Sequence, residues 1–323
     1  MDSPRTLTTL RAPVDTVFRG VAGTGGVLVL VTMGAVGAFL AVRAGEALAA
    51  AGPSFLTEQR WEPDSGTFGI AAVLVGTILI ALVAITVAVP LATSMALFIS
   101  EYAPRRLRAT LIALVDLMAA IPSVVYGLWG FFFLQAAITP VARWIAVTLG
   151  WIPLFRVDEY DPSDPLATTT IFTSSTFIAG IVVALMITPI VTSIMREVFS
   201  QAPIGEREGA FALGATRWGM IRRVVLPYGR GGMIGGTMLG LGRALGETIA
   251  VYMIISPVFA IQPFILKNGT SSVSSLIALR YGEASPFGMS ALMAAGLALF
   301  GLTLVVNFGA SAIVARSRSG ASS

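Results

Sequence analysis

A chain of 323 residues that is 55% hydrophobic and only 12% charged falls far short of the roughly 25% charge of soluble domains, so a bilayer supplies its apolar solvent. It has no Cys and no His, which excludes disulfides, thiol nucleophiles, imidazole acid–base chemistry and the usual zinc sites. The formal charge of +4 is spread over short segments and does not amount to a nucleic-acid surface.

Six charge-poor runs mark candidate spans: 21–42, 68–100, 109–142, 166–195, 231–266 and 284–315. Only Asp116 interrupts the third, and only Arg243 and Glu247 the fifth. Each exceeds the roughly 20 residues that cross about 30 Å of hydrocarbon. Backbone polar groups in lipid must be satisfied within the segment, so the runs are helices. The chain is therefore read as an all-α integral membrane protein with six transmembrane helices. Residues 1–20 form a lead-in, 21–315 the membrane domain with an inner loop at 200–228, and 316–323 a tail. With both termini inside, the inner segments hold 14 basic residues and the outer segments 6, as the positive-inside rule requires. This places the chain in the cell (inner or plasma) membrane, in contact with lipid.

In chain order, the lead-in carries Leu7, Leu10, Val14, Val17, Phe18 and Val21 at helical spacing, read either as an interfacial helix or as a frayed start to the first span. A cleavable signal peptide is disfavoured by the length of the apolar run. Residues 43–67 make an outer loop with an acidic stretch around Trp61. Pro90 should kink the second span or end its regular bonding. The inner turn 101–108 (EYAPRRLR) contributes arginines that fix topology and meet anionic headgroups.

In the third span Pro122, with Ser123 beside it, should break the helical ladder. Asp116 near its inner third is costly in lipid, by about 2.5–3.5 kcal/mol on insertion scales. It faces the bundle either as a pathway residue or, the preferred reading, in a helix–helix hydrogen bond or a pair with an inner arginine. Residues 138–166 form a long outer loop in which Trp144 and Trp151 suggest an interfacial helix. Its acidic turn is either a docking surface or a solvated cap. Pro189 should kink the fourth span.

The inner loop reads as two short helices. The first covers 206–213 and stops at Gly214, a good left-handed residue. The second is capped by Thr216 and closed by Pro227. Phe211, Leu213, Trp218 and Met220 amid Arg207, Arg217, Arg222 and Arg223 make an apolar centre in a charged rim, which suits either a soluble partner or the membrane surface. In the fifth span Gly232, Gly236 and Gly240 recur every fourth residue, the small-xxx-small pattern of close helix contact. Arg243 falls near mid-membrane, about 21 Å beyond Gly229 on an ideal helix. Glu247 lies one turn further on the same face. Buried ion pairs stabilise poorly, so the pair is assigned to function. Arginine offers a planar fork that matches a phosphate or related oxyanion bidentately, and Glu247 would neutralise it when the path is empty.

The pattern Glu208-Gly209-Ala210, Gly214, Val224 and Leu226-Pro227 resembles the EAA loop of the permease subunits of ABC importers, with Gly209 and Val224 as mild departures. GGMIGGTMLGLGRALGET in the fifth span and AAIPSVVYGLWG in the third resemble the phosphate-specific importers' permeases, most like the PstC type. The resemblance covers most of the chain from the second span onward. It implies a type I ABC importer permease fold and a loop (Glu206, Glu208, Gly209, Ala210, Gly214, Leu226, Pro227) that docks in an ATPase subunit. It implies a substrate path past Arg243 and Glu247, to which Asp116 and Ser123 are added here. It also implies a second permease, ABC ATPase subunits and an extracytoplasmic phosphate-binding protein as partners, with inorganic phosphate as cargo. The chain would bind no cofactor or metal. ATP would be hydrolysed by the partner, since no GxxxxGK[ST] loop is present. The rival readings are a permease for sulfate or molybdate, the sister phosphate permease, a proton-coupled secondary transporter using Asp116 and Glu247, and an intramembrane enzyme, the last disfavoured by the lack of His and Cys.

Overall fold

The computed structural model describes residues 13–161, 163–164 and 167–319. The first part of the lead-in and the end of the tail lie outside the described residues. In order, the elements are α1 (Pro13–Ala51), a hairpin of β1 (Trp61–Glu62) and β2 (Thr67–Phe68), α2 (Ala71–Leu97), α3 (Arg105–Ala120), α4 (Ser123–Trp129), α5 (Gln135–Leu149), α6 (Thr176–Ser200), α7 (Ile204–Ala212), α8 (Arg217–Met220), α9 (Leu226–Gly246), α10 (Ile249–Ile254), α11 (Val273–Arg280) and α12 (Pro286–Ser319).

Among the described residues, five helices are long and apolar enough to cross a membrane: 15–56, 71–102, 123–149, 176–200 and 286–309. The fifth expected span is divided. Its α9 part is diluted by glycines and by Arg230 and Arg243, helical bonding stops at Gly246, and α10 adds only a short apolar piece. The third expected run is also divided. Ile121 is extended (φ −66°, ψ 128°) ahead of Pro122, because proline clashes with an α-helical predecessor. The helix then restarts at Ser123 and runs through a π-turn at Gly130–Leu134 into α5. The stretch around Trp144 is thus the C-terminal end of that helix and not a separate interfacial one. Pro90 and Pro189 both lie inside helices that run on past them.

The centre of the bundle is α2 against α6. On α2, Ala81, Ala84, Ala88, Ala92 and Ala96 recur every three or four residues, and all are buried. On α6 a Cβ at Gly180 would come within 2.5 Å of Val83. Lipid offers apolar side chains as good a solvent as a protein core does, so close packing of small residues holds such helices together. One buried cluster joins Ile80, Ala84 and Ala88 to Val182, Val183, Ile187, Leu245 and Val251. α9 packs against α6 and also touches α2, while α1 packs on α12 with the middle of its length exposed.

The end of the bundle away from the 200–228 loop is better ordered than the sequence implied. The loop after α1 forms the β1–β2 hairpin, pairing Trp61 with Phe68. Phe68 takes edge-on contacts from Phe55, Trp61 and Phe287 at 5.5–6.3 Å, a favoured aromatic geometry. Backbone bonds from Ile265 to Leu154 (3.1 Å) and Asn268 to Ile171 (2.7 Å) tie two outer segments together. Lys267 pairs with Glu159 of the acidic turn. Backbone N–H groups of Arg60 and Gln59 hold the Glu58 carboxyl below its usual range, and the Ser163 hydroxyl and N–H do the same for Asp161.

Candidate functional site

Two regions gather the residues singled out by sequence: the inner loop and the exposed face of α9. In the loop, α7 carries Glu206, Glu208, Gly209 and Ala210. It ends in paired bonds from Gly214 N–H to Phe211 O (2.9 Å) and Ala215 N–H to Ala210 O (3.0 Å), a Schellman closure. That closure needs a left-handed residue, and Gly214 supplies it with φ +83°. Thr216 then caps α8, its hydroxyl oxygen accepting from Gly219 N–H at 3.1 Å. A Cβ at Gly209 would meet nothing within 4 Å, so the space would admit the alanine usual in EAA loops.

Pro227 does not close the second loop helix. α8 passes through a π-turn at Ile221–Val225 straight into α9, and Leu226 N–H bonds Ile221 O five residues back. A wider turn placed there accommodates the donor that Pro227 lacks. The underside of the loop is apolar: Met220, Ile221 and Val225 are buried with Met195, Phe199 and Ala202. Met220 therefore belongs to the core and not to the docking surface. The outward side holds a groove of about 1010 Å³ lined by Glu206, Gly209, Ala210, Leu213, Gly214, Trp218, Arg222, Arg223 and Val224, among others. Leu213 is 91% exposed there. An apolar side chain so bare within a charged rim marks a surface made to be covered.

On α9, one face is built for contact with α6. A Cβ at Gly232 would fall 2.3 Å from Val198, at Gly236 3.3 Å from Ile194, and at Gly240 2.7 Å from Val191. The opposite side is open. Gly235 and Gly242 there meet nothing within 4 Å, and they line a groove of about 660 Å³ with Ile190, Met238, Leu239, Arg243 and Asn307. Arg243 is exposed in this groove.

Glu247 is elsewhere. The helix stops at Gly246 and Glu247 is extended (φ −67°, ψ 124°), so it does not continue the face of Arg243 by one turn. Its side chain is buried and accepts a bond from Ala250 N–H at 3.2 Å, at the start of α10. A carboxylate suits the positive end of a helix. Its carbonyl accepts from the Ser274 hydroxyl at 2.8 Å. Among the described residues, no ion pair joins Arg243 to Glu247. The expected neutralising pair is absent because the backbone turns between its members.

Asp116 accepts a hydrogen bond from the Ser193 hydroxyl at 3.2 Å, linking α3 to α6. Ser123 is half-buried at the first turn of α4. Neither lines the Arg243 groove. Two polar residues escaped the sequence reading. Asn307 was legible as a lone amide in an apolar run but does not stand out without the groove. Glu101 lay in a turn where only the arginines drew notice.

Residues 88–319 match the family model described as the binding-protein-dependent transport system inner membrane component. The chain belongs to that family. It is a multi-pass inner membrane permease, working in a class of transporter that has ATPase and substrate-binding partners. It is 41% identical over 303 residues to a protein of Mycobacterium tuberculosis called phosphate transport system permease protein PstC 2, covering 93% of this chain and 91% of that one. It is 42% identical over 279 residues to the phosphate transport system permease protein PstC of Mycobacterium leprae, covering 85% of each. In a crystal structure of a bacterial alginate ABC transporter with its alginate-bound periplasmic protein, one chain superposes with a TM-score of 0.61 at 14% identity, over 94% of this permease and 96% of that chain. That likeness is one of fold, the type I ABC importer permease fold.

Proposed function

We propose that this permease forms half of the translocation path of an ATP-driven importer of inorganic phosphate. It would pair with a second permease, two ATPase subunits and an extracytoplasmic phosphate-binding protein, with both its termini in the cytoplasm. The observation that carries the reading is Arg243, a guanidinium without an ionic partner among the described residues, exposed in an open groove on the glycine-faced helix. The names of the relatives point to phosphate, and the chemistry of the groove agrees. Arginine donates bidentately to an oxyanion. The amide of Asn307, a group able both to donate and to accept, lines the same groove. An acceptor beside the arginine suits an anion that still carries a proton near neutral pH, as phosphate does and sulfate does not.

In this reading ATP binding moves the 200–228 loop, whose bare Leu213 and charged rim meet the ATPase. The breaks at Ile121–Pro122 and at Glu247–Thr248 let helical pieces tilt, and access alternates across Arg243. The charge count favours an inner loop, with 14 basic residues on its side and 6 on the other. Phosphate uptake into vesicles holding the assembled importer, with and without ATP and with sulfate as competitor, tests the reading.

A further inference from the structure

The loop is fastened to the membrane bundle by a half-buried charge pair that the sequence does not advertise. α2 runs on through a π-turn, Phe98–Tyr102, closed by Ala103 N–H on Phe98 O at 2.8 Å. Glu101 sits in that turn with its side chain only 5% exposed. Arg207 of α7, 19% exposed, brings Nη1 to 3.1 Å from one Glu101 oxygen and 3.2 Å from the other. Its Nη2 donates to the backbone carbonyl of Phe199, in the last turn of α6. One guanidinium thus joins the loop to the inner ends of both central helices. The next residue repeats the link, with the Arg217 guanidinium 5.3 Å above the ring of Tyr102.

We propose that Glu101 and Arg207 are the positioning pair that carries movement of the loop into α2, and through the alanine stripe into the bundle. This rests on the importer reading above. The physical reason is directionality. Met220, Ile221 and Val225 give the loop an apolar underside, and apolar contacts are non-directional. An arginine that sets one nitrogen on the Glu101 carboxylate and the other on the Phe199 carbonyl fixes both distance and orientation. Buried ion pairs are poor stabilisers compared with apolar packing, so a pair at this junction is better explained by what it transmits.

The test uses the assembled importer in proteoliposomes, comparing wild type, Glu101→Gln, and the exchange Glu101→Arg with Arg207→Glu. The expected result is that Glu101→Gln copurifies with the ATPase and hydrolyses ATP, while phosphate taken up per ATP falls at least about ten-fold. The exchange should recover part of that ratio. A proportionate fall in hydrolysis and uptake, or an unchanged ratio, overturns the proposal. A second measurement is independent of the cargo. Because the chain has no cysteine, spin labels can be placed through Ile204→Cys on the loop and Phe98→Cys on the turn. Their separation should stay fixed through the nucleotide cycle with the pair intact and vary in Glu101→Gln. Equal behaviour in both overturns the linkage even if the cargo is not phosphate, whereas failure of wild type to take up phosphate counts against the importer reading alone.

Discussion

Arg243 and Glu247 are four residues apart in sequence but belong to different pieces of backbone. Arg243 lies in the last turn of α9 and opens into a groove, whereas Glu247, just past the helix end, is buried and caps α10 through Ala250 N–H. One residue is placed to meet an anion and the other to hold a break in the fifth span. Exchanging them, Arg243→Glu with Glu247→Arg, should therefore not restore the uptake lost in either single variant. Recovery in an uptake assay would mean that the two pair after all.

Arg243→Leu should leave the permease inserted and bound to its partners while phosphate uptake falls. A charge-assisted contact is worth about 1.5–3 kcal/mol, so the loss should be roughly 10- to 150-fold. Arg243→Lys should retain part of it, since lysine keeps the charge but not the fork. The measurement is initial uptake rate in assembled vesicles, normalised to copurified ATPase.

Asn307→Leu should narrow the preference for phosphate over sulfate more than it lowers uptake of phosphate alone. Competition by sulfate across a concentration series reads this. An unchanged preference would remove the amide from any part in choosing the anion.

On α9, Gly240→Leu should disrupt assembly, because a Cβ at that position already meets Val191 at 2.7 Å. Gly235→Ala should be tolerated, because nothing lies within 4 Å of its Cβ. Alanine there should even add a few tenths to about 1 kcal/mol of helix stability. Yield and thermal stability of the purified permease distinguish the two.

In the loop, Leu213→Asp should abolish copurification with the ATPase without altering permease stability, since the side chain touches almost nothing in the permease itself. Gly214→Ala should weaken docking by strain at φ +83°, costing about 1–2 kcal/mol.

The parts of this architecture legible in sequence are those with a period or a punctuation mark. Charge-free runs located the spans, Gly214 and Thr216 placed the ends of the loop helices, and Pro122 marked the break after Ile121. What escaped depends on bonding across elements. Pro227 looked like a stop, and only the π-turn before it lets α8 flow into α9. Glu247 looked like the next turn of a helix, because spacing cannot show that the helix ends at Gly246. Asp116 reads by preference as a packing residue, but only the structure shows its partner, Ser193 on α6. Glu101 gained meaning only when Arg207, over a hundred residues later, closed on it.

The most direct measurement is ATP-dependent phosphate uptake in proteoliposomes carrying this permease with its second permease, ATPase and binding protein, run beside the same assembly with Arg243→Leu and with a hydrolysis-dead ATPase. Expected are phosphate uptake in the intact assembly with little inhibition by excess sulfate, uptake reduced roughly 10- to 150-fold with Arg243→Leu, and none with the hydrolysis-dead ATPase. Uptake that persists without hydrolysis, or that is undiminished by the loss of Arg243, would contradict the reading.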